Sequence, residues 1–400
     1  MKRNLILFSF LVLSVVPGWC EKKITVGQLE DMLRSLQQQK KDDGDVATAL
    51  KQVELTEELT PARMNGLVNL VPGRLSTEQI FVLEARSADL IPPPADLPST
   101  PAPDESGLKA ILSRAESYVG RTYAALPALT ATKTTVRFQD NVDALANSSG
   151  VSGSAKEMVT SSAFSSSSSY IHFINSNERS VLSERGIEEL AAEKVKTPWG
   201  ANKMVAIQQA DPNLADVFKR AEAAGKIEWL RWELINGRPA AVFSFAVPTQ
   251  KNGLDVSVCC FPNVKQAGKA NFYNSTMGPM FPGSGASGGG VSGNFQTNTD
   301  WHEFKTTVPY HGRLFIDPET GIVVRMITEA ELKPTDLVHQ LDTRVDYGPV
   351  KIGERMIVAP VKTVINSEVV PNGDSGAGGY TTRCTLFTSE YKNYRIAKSK

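Results

Sequence analysis

Two segments, carrying three motifs between them, hold residue types that could do chemistry. Gly373-Asp374-Ser375-Gly376 has the form of the nucleophile segment of chymotrypsin-like proteases. Such a serine needs a histidine base and an acid to orient it. The histidines are His172, His302, His311 and His339, and none stands in the Ala-Ala-His-Cys setting of that base. From Pro371 to Gly379 the neighbours of Ser375 are of turn type, so the expectation is a turn. Gly285-Ala286-Ser287-Gly288-Gly289 matches G-x-S-x-G, and Gly283, Gly285 and Gly288 match G-x-G-x-x-G. A nucleophile elbow or a dinucleotide loop needs a strand before it and a helix after it. Pro282-Gly283 precedes this segment and more glycine follows, so Ser287 is read as a loop residue. No catalytic residue, cofactor-binding residue or cofactor is assigned.

Metal chemistry has little to build on. Asp300 and Glu303 flank His302, but no Cys or His pair falls at ligand spacing, so no metal site is assigned. No two carboxylates can be paired as acid and base from sequence, because their separation is not visible there. Of the four cysteines, Cys259 and Cys260 are adjacent and must point to opposite faces of a strand. Leu254, Val256 and Val258 put Cys260 on the apolar face, and Cys384 shares a face with Leu386. A Cys260–Cys384 disulfide could form in an oxidising compartment. Buried thiols acting as small hydrophobes fit the same residues equally well.

The address is written at the start of the chain. Lys2 and Arg3 precede an uncharged apolar run from Leu5 to Val16, which Pro17 ends. This is the pattern of a secretory signal peptide over residues 1–20, with cleavage expected between Cys20 and Glu21. A lipid-modified Cys20 would want a small residue before it, and Trp19 is large. The run is short of the roughly 20 residues that span a bilayer, so no transmembrane helix is expected in the mature chain. The expected location is the periplasm or the extracellular space.

The elements follow from periodicity. Residues 21–91 read as helical. Thr25 with Gln28 forms a capping box, and Leu29, Met32, Leu33 and Leu36 recur at helical spacing. Val46, Leu50 and Val53 continue that period, Thr60-Pro61 opens a further helix, and Ser76 with Gln79 another. Residues 92–103 hold six prolines and read as an extended linker. Leu108, Ile111, Leu112, Ala115, Tyr118 and Val119 mark one more amphipathic helix. Beyond Thr130 the period is two. Asn236-Gly237 between two apolar runs predicts a hairpin, and Asp317-Pro318-Glu319-Thr320-Gly321 predicts a second. Asp211-Pro212 is expected to cap a helix through Phe218. Strands are expected at 343–347, 355–358, 361–369 and 383–391. Ser- and Gly-rich segments near 147–169 and 283–293 read as flexible loops. The predicted class is α+β: short N-terminal helices, a Pro-rich linker, then a β-rich domain over 104–400, mainly one antiparallel sheet with packed helices.

Composition narrows the function classes. The chain has 400 residues, and its 43 Lys+Arg balance 43 Asp+Glu, which argues against a nucleic-acid partner. The segments Ala240–Cys260, Pro309–Met326, Val345–Val364 and Thr388–Ile396 resemble a group of uncharacterised secreted bacterial proteins, acidobacterial in type. Tyr310-His311-Gly312, Asp317-Pro318 and Tyr347-Gly348-Pro349-Val350 carry that resemblance. It implies no catalytic residues. The order of hairpins also resembles the curved antiparallel sheet of LolA-like lipoprotein carriers. That resemblance implies a non-enzymatic envelope protein holding an apolar ligand or lipid in its concave face. Ile227–Ile235 fits this with large apolar side chains on both faces: Trp229 and Ile235 on one, Leu230, Trp232 and Leu234 on the other. The alternative is a structural or protein-interaction module of the envelope, and a hydrolase with an unrecognised site ranks below both. An apolar pocket would favour the first, an exposed apolar helix face within 21–91 the second, and a polar cleft with clustered perturbed carboxylates the third.

Overall fold

The computed structural model describes residues 22–140, 171–184, 187–189, 206–207, 213–224, 227–248, 253–262, 301–333, 336–369 and 383–397. The class is α+β, with six α-helices among these residues and a large antiparallel sheet. The expected cleavage site Cys20–Glu21, the two Ser/Gly-rich loops, Ser287 and Ser375 lie outside the described residues. The same holds for the side chains of Cys259, Cys260 and His302.

The N-terminal unit holds helices α1 (Val26–Gln38), α2 (Asp43–Lys51), α3 (Pro61–Val68) and α4 (Arg74–Arg86). The capping box forms as read. Gln28 N–H donates to Thr25 Oγ1 at 3.2 Å, and Thr25 N–H donates to Gln28 Oε1 at 3.0 Å. The unit is not wholly helical. Strands β1 (Lys22–Ile24) and β2 (Val53–Leu55) pair in parallel, so Val53 belongs to a strand and not to the helical period of Val46 and Leu50. Helix α4 begins at Arg74, ahead of Ser76, because its cap comes from another helix. The Asp43 carboxylate accepts from Leu75 N–H and Ser76 N–H, both at 2.9 Å. A Cβ on Gly73 would meet that carboxylate at 2.5 Å, so the N-cap must be glycine for Asp43 to reach. Leu29, Leu33, Val46, Leu50, Leu59 and Ile80 form this unit's own core.

The proline segment is anchored along its length. Pro92 and Pro93 are buried, Pro94–Asp96 makes a 3₁₀ turn, and Asp96 takes a two-pronged ion pair from Arg63 at 2.5 and 2.7 Å. Further on, Trp232 Nε1–H donates to the Pro101 carbonyl at 2.9 Å. Asp104 then caps α5 (Glu105–Ala125).

Strands β3 (Leu129–Asp140), β4 (Ile171–Glu184), β5 (Ile187–Glu189), β7 (Ile227–Ile235), β8 (Arg238–Val247), β11 (Tyr310–Ile316), β12 (Val323–Ala330), β13 (Val338–Ile352), β14 (Arg355–Val369) and β15 (Arg383–Ile396) form one ten-stranded sheet. Its order is β5-β4-β3-β15-β14-β13-β12-β11-β8-β7, antiparallel throughout. Strands β6 (Ala206–Ile207), β9 (Leu254–Pro262) and β10 (Trp301–Val308) form a second, smaller sheet. Both predicted hairpins are present. Asn236 and Gly237 hold φ of 51° and 77°, as the right-handed twist of β7 and β8 requires of a two-residue turn. In the second turn Gly321 sits at φ 75°, and a Cβ there would lie 2.5 Å from the Arg114 backbone of α5. The segments 355–358 and 361–369 are one strand that runs through Pro360, and a register shift at Asp346/Tyr347 accommodates the proline. Helix α6 (Leu214–Ala223) is capped by Asn213, whose side chain accepts from Ala215 N–H at 2.8 Å.

Both faces of the ten-stranded sheet are covered. On one, α5 and α6 pack over β7, β8 and β11–β13, burying Ile111, Ala115, Phe218, Phe243, Leu314 and Met326 in the main core. On the other lies the N-terminal unit, with Val82 and Ala85 of α4 against Phe138, Val364 and Leu386. Among the described residues no helix is long and apolar enough to cross a membrane.

Candidate functional site

The face beneath the N-terminal unit is charged, and it is built by alternation. On β13 the residues Leu341, Thr343 and Val345 turn toward α5 and α6, so Gln340, Asp342, Arg344 and Asp346 turn toward the helical unit. Arg325 of β12 stands directly opposite Asp346 in the register. Its Nε–H donates to Asp346 at 2.6 Å, and Arg344 donates to both oxygens of the same carboxylate at 3.2 and 3.0 Å. Burial works against the charge on Asp346, yet the two guanidinium groups outweigh it and hold this carboxyl well below its usual range.

Glu58 comes down onto this pair of arginines from the segment before α3. It is 3% exposed, and its Oε1 accepts from Arg325 Nη1 at 3.2 Å and Arg344 Nη1 at 3.3 Å. Its backbone N–H bonds to the Ile91 carbonyl at 2.8 Å, which fixes its approach. Burial pushes Glu58 upward despite both arginines. A second bridge lies farther along α4, where Lys362 of β14 contacts both oxygens of buried Glu84 at 3.2 and 3.3 Å. Charged groups deep in a protein are tolerated when each is paired. These pairs therefore fix one placement of the helical unit on the sheet.

Beside the bridges is a partly open cavity of about 180 Å³. The end of α4 and the residues after it supply Leu83, Arg86, Ser87 and Asp89 to its wall. The sheet supplies Gln340 and Asn366, and β2 supplies Glu54 between two apolar residues. Ser87 is the hydroxyl of this lining. It donates to the Leu83 carbonyl at 2.8 Å and accepts from Leu59 N–H at 3.0 Å, so it is committed to structure. Asp89 is driven upward by burial, with Glu329 adding to the effect, against its own backbone hydrogen bond and Arg313. The Arg313 guanidinium donates to the Asp89 carbonyl. Next to Gln340, which donates to it, Asp342 is pushed up to about 7 by burial and by the neighbouring Asp89 and Glu329. On β11, His311 pairs with Glu329 at 3.2 Å and Glu331 at 3.5 Å. Its hydrogen bond to Glu329 raises the imidazole pKa.

Of the residues singled out by motif, Ser287 and Ser375 lie outside the described residues. Cys384 is half-buried on β15 and packs with Leu386 and Phe138 on the face toward α4. His339 lies on β13, and His311 of β11 pairs with Glu329 on the charged face of the seam. Among the described residues no group of three or more His, Cys, Asp and Glu is placed to hold a metal ion. In β7 the expected faces are corrected by a bulge. Trp229 pairs with Phe243 and Arg231 with Val242, leaving Leu230 unmatched. Trp229 and Trp232 therefore share a face, with ring centroids 5.1 Å apart, while Ile235 turns to the other. One sequence signal for the seam was present: Gln340, Asp342, Arg344 and Asp346 alternate with apolar or small residues along the strand, with charges of both signs.

No protein-family model matches the chain. No curated protein matches it. Among solved structures it is similar to the complex structure of Pseudomonas aeruginosa MucA/MucB, at 9% identity over 71% of this chain and 99% of that one. The TM-score is 0.17, too low for the likeness to support an argument about fold or function.

Proposed function

We propose that this chain is an exported, non-enzymatic binding module whose ligand site is the polar cavity at the seam between the N-terminal unit and the sheet. The observation that carries the reading is the cavity itself: about 180 Å³, walled by Arg86, Asp89, Gln340 and Asn366, and held by the buried ion pairs of Glu58 and Glu84. A concave site with convergent polar groups on rigid elements is what small-molecule recognition needs. Catalysis has less support, although perturbed carboxylates do cluster here. Ser87, the nucleophile type in the wall, already donates its proton to a backbone carbonyl. An apolar or lipid ligand also has less support, because α5 and α6 pack along β7, β8 and β11–β13, where a chain would have to lie.

A second reading, an interaction module, is favoured by exposed Leu230 and Leu234 on the edge strand β7. The test of the first reading is a thermal-shift panel of small polar molecules on the full exported chain and on Asn366→Phe, which fills the cavity. At least one compound should raise the melting temperature of the natural chain and leave the variant unmoved. If no polar compound shifts the natural chain, or all shift both alike, the seam is not the binding site.

A further inference from the structure

The N-terminal unit has a core of its own, and its apolar contact with the sheet is small: Val82 and Ala85 against Phe138, Val364 and Leu386. Charged groups therefore weigh heavily in how firmly the two layers close. At the Asp89 end of the seam, acidic groups predominate. Glu329 of β12 stands directly opposite Asp342 of β13, and both turn toward the helical unit. Like charges so placed repel. His311 of β11 is opposite Glu329 on its other side and pairs with it at 3.2 Å. Arg313 reaches from β11 to Glu329 at 3.6 Å and donates to the Asp89 carbonyl, so it joins the two layers here. Asp89 in turn acts electrostatically on Asp342, and Glu329 on Asp89. On β14 the residue opposite Asp342 is the neutral Asn366, and Glu368 lies opposite Gln340. On its own strand Asp342 has Gln340 and Arg344 as neighbours on the same face, and Arg344 is engaged by Glu58 and Asp346. Glu331 stands on the outer side of His311. From the helical unit, Arg86 and Glu54 line the adjoining cavity.

We infer that the facing carboxylates of Asp89, Glu329 and Asp342 make closure of the seam pH-sensitive: the helical unit lies shut on the sheet in mildly acidic medium, and its Asp89 end parts from the sheet as the medium turns alkaline. Burial pushes Asp342 up to about 7, against the Gln340 hydrogen bond and with Asp89 and Glu329 adding to the effect. Burial also raises Asp89, with Glu329 adding to it, and the hydrogen bond to Glu329 raises His311. All three shifts favour the protonated form in the closed structure. By linkage, each group supports closure at low pH and loses that support as pH rises through its raised value. Above about 7, Asp342 adds a negative charge to the row while His311 loses its positive one, and the repulsion falls on the contact between the layers. Glu329 is held low, chiefly by its hydrogen bond from His311, so its own proton matters only below the ordinary carboxylate range. The pairs of Glu58 and Glu84 hold the unit elsewhere along the seam. Asp89 also walls the cavity, which therefore opens when this end parts.

The test is limited proteolysis of the full chain at about pH 6 and about pH 8.5, with a protease active at both, and with cuts within residues 92–103 followed by mass spectrometry. That segment follows Asp89 closely, and its Pro92 and Pro93 are buried in the closed form. Each rate is divided by that of a free peptide of the same sequence, which removes the protease's own pH dependence. From the lower to the higher pH the quotient should rise at least roughly fivefold in the natural chain. In Asp342→Asn, which keeps the shape without the charge, it should rise less than roughly twofold. Asp89→Asn, in the opposite layer, should cut the rise in the same way, so either folded variant decides. A flat quotient in the natural chain overturns the latch, and so does an undiminished rise in a folded variant. An equal rise at cut sites throughout the ten-stranded sheet overturns it as well, because the whole fold would then be loosening.

Discussion

Replacing Glu58 with alanine is the sharpest perturbation of the seam. Glu58 is 3% exposed and accepts from Arg325 and Arg344 at 3.2 and 3.3 Å. Its removal leaves two buried guanidinium groups sharing Asp346. Breaking a buried pair by deleting one partner costs about 3–5 kcal/mol, a large share of a stability typically about 5–15 kcal/mol. Unfolding entropy of about 2.1 cal/mol/K per residue gives roughly 0.8 kcal/mol/K for a chain of this length, so a cooperative transition should fall by about 4–6 °C. The assay is calorimetric melting of natural chain and Glu58→Ala at pH 7, with limited proteolysis of residues 92–103 in parallel. The variant should be cut there faster, because Glu58 and the anchored proline segment are joined through the Ile91 carbonyl. Pairing Glu58→Ala with Arg344→Met should recover part of the loss, since one stranded cation is removed with its partner. A loss below about 1 kcal/mol, with unchanged cleavage, would refute the view that this charge locks the two layers.

Three further outcomes follow from other contacts. Asp342 carries a pKa of about 7 in the folded chain against 3.8 for a free carboxyl, so the folded state binds the extra proton and this group's contribution is lost as pH rises from about 4 to about 7. Asp342→Asn should therefore be neutral near pH 4 and stabilising at pH 8, by up to about 4 kcal/mol, as read from denaturant midpoints at the two pH values. Asp43→Ala strips the cap of α4, and chemical denaturation should show a loss of about 1–2 kcal/mol. Gly321→Ala should cost clearly more than Gly237→Ala in the same assay. Both have positive φ, worth roughly 1–2 kcal/mol, but only the Cβ at 321 meets backbone, 2.5 Å away on α5.

Much of the architecture is legible because it is local. Asn236-Gly237 and Asp317 to Gly321 fix their hairpins by turn chemistry that needs no distant partner. Thr25 and Gln28 likewise complete their cap within four residues. Features set by distant residues are not legible. Asp43 caps a helix that starts some thirty positions later, and so moves its first residue away from Ser76. A single bulge at Leu230 reverses the faces of half a strand, and nothing in Ile227–Ile235 marks it. The proline segment suggests an open spacer by composition, yet Arg63 and Trp232 tie it down from elsewhere in the chain. The seam is hidden for the same reason. Arg325, Arg344 and Asp346 read as the solvent side of alternating strands, and only the docked helical unit, through Glu58, makes that side an interior.

Extraction of the bound contents tests the central proposal most directly. The full chain, purified without detergent or added ligand, would be denatured and its small-molecule fraction identified by mass spectrometry, beside the Asn366→Phe variant prepared in the same way. The seam cavity requires a small polar compound, near stoichiometric with the natural chain and absent from the variant. An acyl-chain lipid recovered equally from both would contradict it, and would place the ligand on the face that carries α5 and α6.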